Sequence, residues 1–171
     1  MEGSQSGKGG VALILERDYN ISLPKWMHVH LSKVVQKATE ETGREISPQE
    51  IHDLYQQHFV NVDAEWKLNA YDSHTEGGQI QASFTIGEKE SFSGYGNGIL
   101  MALCQGLQAV YGDKLRVTQF DESSLSTGTS ALAQTCIELE VKGKTSVGIG
   151  ISQDVSSSVI QALLTAFAHS R

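Results

Sequence analysis

At 171 residues the chain can hold one ordinary domain, or a small domain with a helical appendage, and bury a core without disulfides. An apolar fraction of 39% with only 2 prolines argues against long disorder beyond the first ten residues, and a net charge of −7 without a Lys/Arg cluster argues against a nucleic-acid partner. No apolar run approaches the ~20 residues of a membrane span, and the opening MEGSQSGKGG lacks a signal-peptide core and reads as a cut end or an expression scar.

The first third reads as helical. Leu23-Pro24 opens a segment in which Met27, Leu31, Val34, Val35 and Ala38 share one face, and Gly43 supplies the stop. A second helix starts at Ser47-Pro48-Gln49-Glu50, where Ser47 can cap the Glu50 amide and Glu50 can return the bond. Its buried stripe would be Ile51, Leu54, Tyr55 and either His58 or Phe59. Two amphipathic helices have too little core between them, so this segment must pack on something else.

From about Asn61 the period changes to two. Trp66, Leu68 and Ala70 alternate in one run and Ile80, Ala82, Phe84 and Ile86 in the next, joined by the turn-rich stretch from His74 to Gly78. A third strand, Glu90 to Gly94, leads through Gly94-Tyr95-Gly96-Asn97-Gly98 into the apolar helix ILMALCQGLQAVYG. The order then repeats: strands from Lys114 to Phe120, Ala131 to Val141 and Lys144 to Ile151, with a loop at Ser126-Thr127-Gly128-Thr129, and a helix capped by Asp154 that runs to about His169. FTIGEKESFSGYG superimposes in type on ELEVKGKTSVGIG. The chain therefore reads as an α+β fold of duplicated βββα units, at about 61–112 and 113–171, with antiparallel strands and helices on one face, preceded by a helical subdomain over 1–60.

Candidate chemistry is sparse. A glycine-rich strand exit with bare amides at a helix start suits an anion, and Gly148-Ile149-Gly150 occupies the equivalent place in the second unit. The bland reading is a tight turn in both places. The spacing fits neither a dinucleotide fingerprint nor a P-loop. His28 and His30 fall on nearly opposite sides of a helix, which disfavours a metal pair. Cys104 and Cys136 lie in apolar segments and read as inert thiols of a reducing cytosol. No nucleophile, base or metal cluster emerges, so no catalytic residue and no cofactor is expected in this chain.

GKGGVALILE, LPKWMHVHLSKVVQKATEETG, ISPQEIHDLY, GYGNGILMAL and VGIGISQDVSSSVIQALLTAF, in that order and across nearly the whole chain, resemble the C-terminal third of α-isopropylmalate synthases. The resemblance implies a leucine-binding regulatory domain at 61–171, preceded by the end of an inter-domain linker at 1–60. It implies a cytoplasmic homodimer, and feedback control of a catalytic (β/α)8 barrel absent from this chain. In the family that barrel condenses acetyl-CoA with 2-oxoisovalerate using a divalent metal. The resemblance assigns the L-leucine pocket to Gly96, Asn97 and Gly98, then Leu100 and Met101, then Val117 and Phe120. Ser124, Ala131 and Ala133 continue it, with Gln153, Asp154 and Val155 at the second unit's turn. Small residues leave room for an isobutyl group, the amides at Gly96-Asn97-Gly98 would hold its carboxylate, and a carbonyl or Asp154 its ammonium. Two departures stand out: Phe120 where many members carry Tyr, and Thr129-Ser130 where others place Asp before the small residues. Related citramalate synthases sense isoleucine with a similar domain, so an isoleucine sensor and a purely structural dimerisation module stay open as alternatives.

Overall fold

A computed structural model of the chain describes residues 8–127 and 130–171. Its first elements are α1 (Lys8–Tyr19), α2 (Lys25–Thr42) and α3 (Pro48–Tyr55). α1 reaches into the stretch read above as a cut end; Gly9 and Gly10 obscure the helical spacing of Val11, Ile14 and Leu15, which are all buried. α2 begins after Pro24 and stops at Gly43, whose left-handed φ of 70° lets its amide bond Thr39. The expected capping box starts α3: the Glu50 amide donates to Ser47 Oγ at 3.2 Å and the Ser47 amide to Glu50 Oε1 at 2.9 Å.

A single π-turn, Gln56–Val60, follows α3 and closes with the Asn61 amide donating to the Gln56 carbonyl at 2.8 Å. The extra residue in that turn puts Phe59, and not His58, into the core.

The rest is two copies of three strands and a helix: β1 (Leu68–Glu76), β2 (Gln79–Ile86), β3 (Phe92–Gly96), α4 (Ile99–Tyr111), then β4 (Leu115–Thr127), β5 (Ser130–Val141), β6 (Lys144–Ser152), α5 (Val155–His169). Each copy forms its own antiparallel sheet, in the orders β1-β2-β3 and β4-β5-β6. The fold is α+β, as the alternating pattern implies. Several boundaries differ from those expected. Trp66 sits in a 3-10 turn, Ala64–Trp66, and not on a strand. β3 is shifted by two residues, so Gly94 and Gly96 are strand residues opposite Ala82 and Ile80. β4 continues past Phe120 to Thr127; Gly128 and Thr129, from the predicted loop, lie outside the described residues.

The first strand of each copy carries a β-bulge, between Leu68 and Ala70 and between Val117 and Gln119. A bulge reverses the facing of everything after it. Ala70 is therefore exposed, contrary to the simple alternation, and Val117 and Phe120 point to the same side of their sheet, opposite Leu139 and Ile137.

α4 packs on β3 and β2, and α5 on β6 and β5. The strand glycines make this close approach possible. A Cβ at Gly94 would lie 1.9 Å from the Ala102 carbonyl oxygen, and at Gly148 or Gly150 it would lie 2.3 or 2.1 Å from the α5 backbone. One core joins both copies, with Phe84, Ile86, Leu103 and Leu107 meeting Ile137, Leu139, Leu163 and Phe167.

A second core lies on the other face of the β4-β5-β6 sheet, where α1–α3 and the π-turn supply Leu15, Met27, Leu31 and Phe59 against Cys136, Val147 and Ile149. The helical segment thus finds the partner it needs. Burying each of these large side chains contributes about 1.5–3 kcal/mol.

Candidate functional site

Gly96 ends β3 with its Cα against the first turn of α4: a Cβ there would lie 2.8 Å from Met101 Cβ and 2.9 Å from the Ala102 amide nitrogen. Gly98 is the N-cap of α4, in extended backbone, and no side chain caps this helix; its first turn also holds no acidic residue. Nothing lies within 4 Å of the Cβ that Gly98 lacks. The α4 start therefore presents backbone N–H groups and the positive end of the helix dipole with no carboxylate of its own.

The start of α5 is built in the opposite way. Asp154 Oδ2 accepts from the Ser157 amide at 3.0 Å, from Ser157 Oγ at 2.7 Å and from the Tyr71 hydroxyl at 2.8 Å. Bonds from the Ser157 side chain first, then from Tyr71, hold its carboxyl below the usual carboxylate value, and the same Asp154 bond raises the Tyr71 phenol. Asp154, expected to receive an ammonium group, is thus already the cap of its own helix.

An open cavity of about 610 Å³ adjoins the α4 start. It is lined by Gly96, Asn97, Met101 and Val117, four of the residues assigned to the effector pocket, together with Tyr95, Cys104, Gln105, Gln108 and Arg116. Leu100 instead packs on the main core. The remaining assigned residues are not part of this lining. Phe120, Ser124 and Ala131 follow the α5 side of the β4–β5 ribbon, Ala133 lies between Ser124 and Ser152, and Gln153, Asp154 and Val155 continue from there into α5. Met101, Phe120 and Val155 are each about half exposed, at 52%, 46% and 50%.

The glutamines were missed in the sequence. Gln105 Oε1 accepts from the Tyr95 amide at 3.1 Å and Gln108 Oε1 from the Leu115 amide at 2.8 Å, so side chains three apart on α4 satisfy the outer edges of β3 and β4. Their signal was two amides within the otherwise apolar ILMALCQGLQAVY.

Burial pushes the Cys104 thiol up to about 11, and burial with the neighbouring Asp121 carboxylate raises Cys136 as well, which makes both poor nucleophiles near neutral pH. Among the described residues no group of three His, Cys, Asp or Glu is placed to hold a metal ion, and no helix is long and apolar enough to cross a membrane.

Residues 45–170 match the family model described as the LeuA allosteric (dimerisation) domain. The chain belongs to this family. It is 38% identical over 167 residues to a 2-isopropylmalate synthase of Alcanivorax borkumensis, covering 95% of this chain and 30% of that protein. It is 34% identical over 171 residues to a 2-isopropylmalate synthase of Pseudomonas savastanoi pv. phaseolicola, and 34% over 174 residues to one of Pseudomonas fluorescens, with 98% of this chain and 30% of each relative covered. The chain spans about 30% of the length of the curated relatives it matches. The Gly-x-Gly strand ends have a packing role: a Cβ at Gly94, Gly96, Gly148 or Gly150 would meet the helix that follows its strand, whereas Gly98 faces open space.

Proposed function

We propose that this chain is the regulatory region of a 2-isopropylmalate synthase, binding L-leucine as feedback effector for a catalytic barrel that condenses acetyl-CoA with 2-oxoisovalerate in the cytoplasm. Residues 1–60 would be the end of the linker and 61–171 the regulatory domain. The observation that carries this reading is the match of 45–170 to an allosteric domain family. The uncapped α4 start supports it, because its free amides suit the ligand carboxylate and the adjoining cavity has an apolar wall at Met101 and Val117 for a branched side chain.

The site is completed in a homodimer. Tyr95, Met101, Phe120 and Val155 leave large apolar surface uncovered, and the cavity beside α4 is open within one chain. Pairing of two chains would cover that surface and supply the open cavity with a second wall. A structural dimerisation module without ligand is favoured by one observation: backbone packing alone accounts for Gly94, Gly148 and Gly150.

A thermal-shift panel of the amino acids separates the two readings, since a ligand of the native state at a hundredfold excess over Kd stabilises by about 2.7 kcal/mol. L-leucine is expected to give the largest shift. A flat panel favours the dimerisation module, and a larger shift with isoleucine favours an isoleucine sensor. Light scattering on the same sample is expected to give a dimer mass; a strictly monomeric species with and without leucine contradicts the dimeric site.

A further inference from the structure

The layer between α1–α3 and the β4-β5-β6 sheet contains a fully buried amide, that of Gln134 on β5. Its Oε1 accepts from the Tyr55 hydroxyl at 2.7 Å and its Nε2 donates to the Ser22 carbonyl at 3.1 Å. Tyr55 is itself fully buried at the end of α3, and Ser22 lies in the link between α1 and α2. One amide therefore ties β5 to two separate parts of the helical segment. Burying such a group costs stability unless both ends are paired, and removing either partner leaves an orphan.

Strand alternation places the neighbours of Gln134 on the opposite side. Ala133 sits among the proposed effector residues, between Ser124 and Ser152. Thr135 Oγ1 lies 2.8 Å from Ser158 Oγ, both side chains fully buried, and Ser158 Oγ donates to the Val155 carbonyl at 2.7 Å. The single Ser158 proton is thereby used, so the Thr135 hydroxyl is the donor to Ser158. Three consecutive β5 residues thus touch the effector region, the helical segment and the first turn of α5.

We propose that Ala133, Gln134 and Thr135 form a transmission strip that carries effector binding from the α5 side of the sheet to the helical segment through the Gln134–Tyr55 and Gln134–Ser22 hydrogen bonds. This rests on the leucine-binding reading above. Apolar contacts tolerate sliding, but these directional bonds do not, so a displacement of β5 must carry Tyr55 with it or break the pair. The element that responds is the π-turn Gln56–Val60, which begins at the residue after Tyr55. Its wider turn has a discrete alternative, the α-helical register, in which Phe59 would leave its buried position. Gln134 and Tyr55 are positioning residues in this scheme.

Hydrogen exchange on the whole chain, with and without saturating L-leucine, tests it, with binding followed in parallel by calorimetry. In the wild type, leucine is expected to slow exchange by about threefold or more in 47–61 as well as in 131–135 and 153–158. Tyr55→Phe, which removes one hydroxyl, is expected to bind leucine with a Kd within about threefold of wild type and to keep the protection of 131–135 and 153–158, but to lose that of 47–61. Phe59→Leu, an apolar change in the same cluster, is expected to keep all of it. The strip is overturned if wild-type binding leaves 47–61 unchanged, or if Tyr55→Phe responds as the wild type does. Absence of any binding heat in the wild type overturns the leucine reading and the strip with it, which separates that failure from the first two.

Discussion

The two βββα units share a topology and are treated differently on their outer faces. With Gly94 set against Gly148 and Gly96 against Gly150, Tyr95 corresponds to Ile149, yet Tyr95 is 50% exposed and Ile149 fully buried. The difference arises in the chain before the first strand: α1–α3 cover the second sheet and leave the first uncovered. The helix starts diverge as well, α5 capped by Asp154 and α4 opened by Gly98 without a side-chain cap. A duplicated scaffold has thus kept one unit for anchoring and the other with an available helix start.

The largest effect should come from breaking the covered face. Ile149→Ala is expected to cost about 2–5 kcal/mol in denaturant unfolding, because it leaves a cavity under the helical segment. Tyr95→Ala at the corresponding place is expected to stay within about 0.5 kcal/mol at low protein concentration, where no dimer contact contributes. Equal costs at the two positions would mean that the outer faces are not distinguished as described.

The glycines test what the units share. Gly94→Ala and Gly148→Ala each push a methyl group into helix backbone, at 1.9 Å and 2.3 Å, and are expected to lower stability by about 1–3 kcal/mol in thermal unfolding. A stability loss at one glycine only would contradict the equivalence of the strand–helix contacts.

Much of this was legible beforehand. Alternation over Ile80 to Ile86, the capping box at Ser47, the stop at Gly43 and the cap at Asp154 are local signals, and each appears where the spacing puts it. The two bulges were not legible, because an inserted residue is specified by the pairing partner and leaves no mark on the strand's own alternation. The π-turn escaped for a similar reason: Phe59 and His58 are equally plausible at helical spacing until the turn widens. Beyond the glycine-rich turns and the Asp154 cap, the candidate effector residues came only from family resemblance, since residues as ordinary as Ser124 and Ala133 carry no chemical signature.

A smaller effect probes the capped helix. Asp154→Ala is expected to cost about 0.5–2 kcal/mol at neutral pH. Because the folded carboxyl titrates below its ordinary 3.8, the wild-type advantage is fully present above that pH and shrinks as pH falls through the lowered value. A difference that persists unchanged into strong acid would show that the cap bonds are not its source.

The smallest change in stability belongs to the open helix start and carries the most information. Gly98→Asp introduces the cap that α4 lacks, at a position with room for it, and is expected to raise stability by a few tenths to about 1 kcal/mol. The same carboxylate would occupy the place assigned to that of leucine. Calorimetric titration of the wild type and Gly98→Asp with L-leucine therefore tests the central claim most directly. Saturable heat in the wild type, weaker binding of isoleucine and valine, and no leucine binding in a variant at least as stable as its parent are expected; undiminished binding by Gly98→Asp, or none by the wild type, would overturn the leucine site at the α4 start.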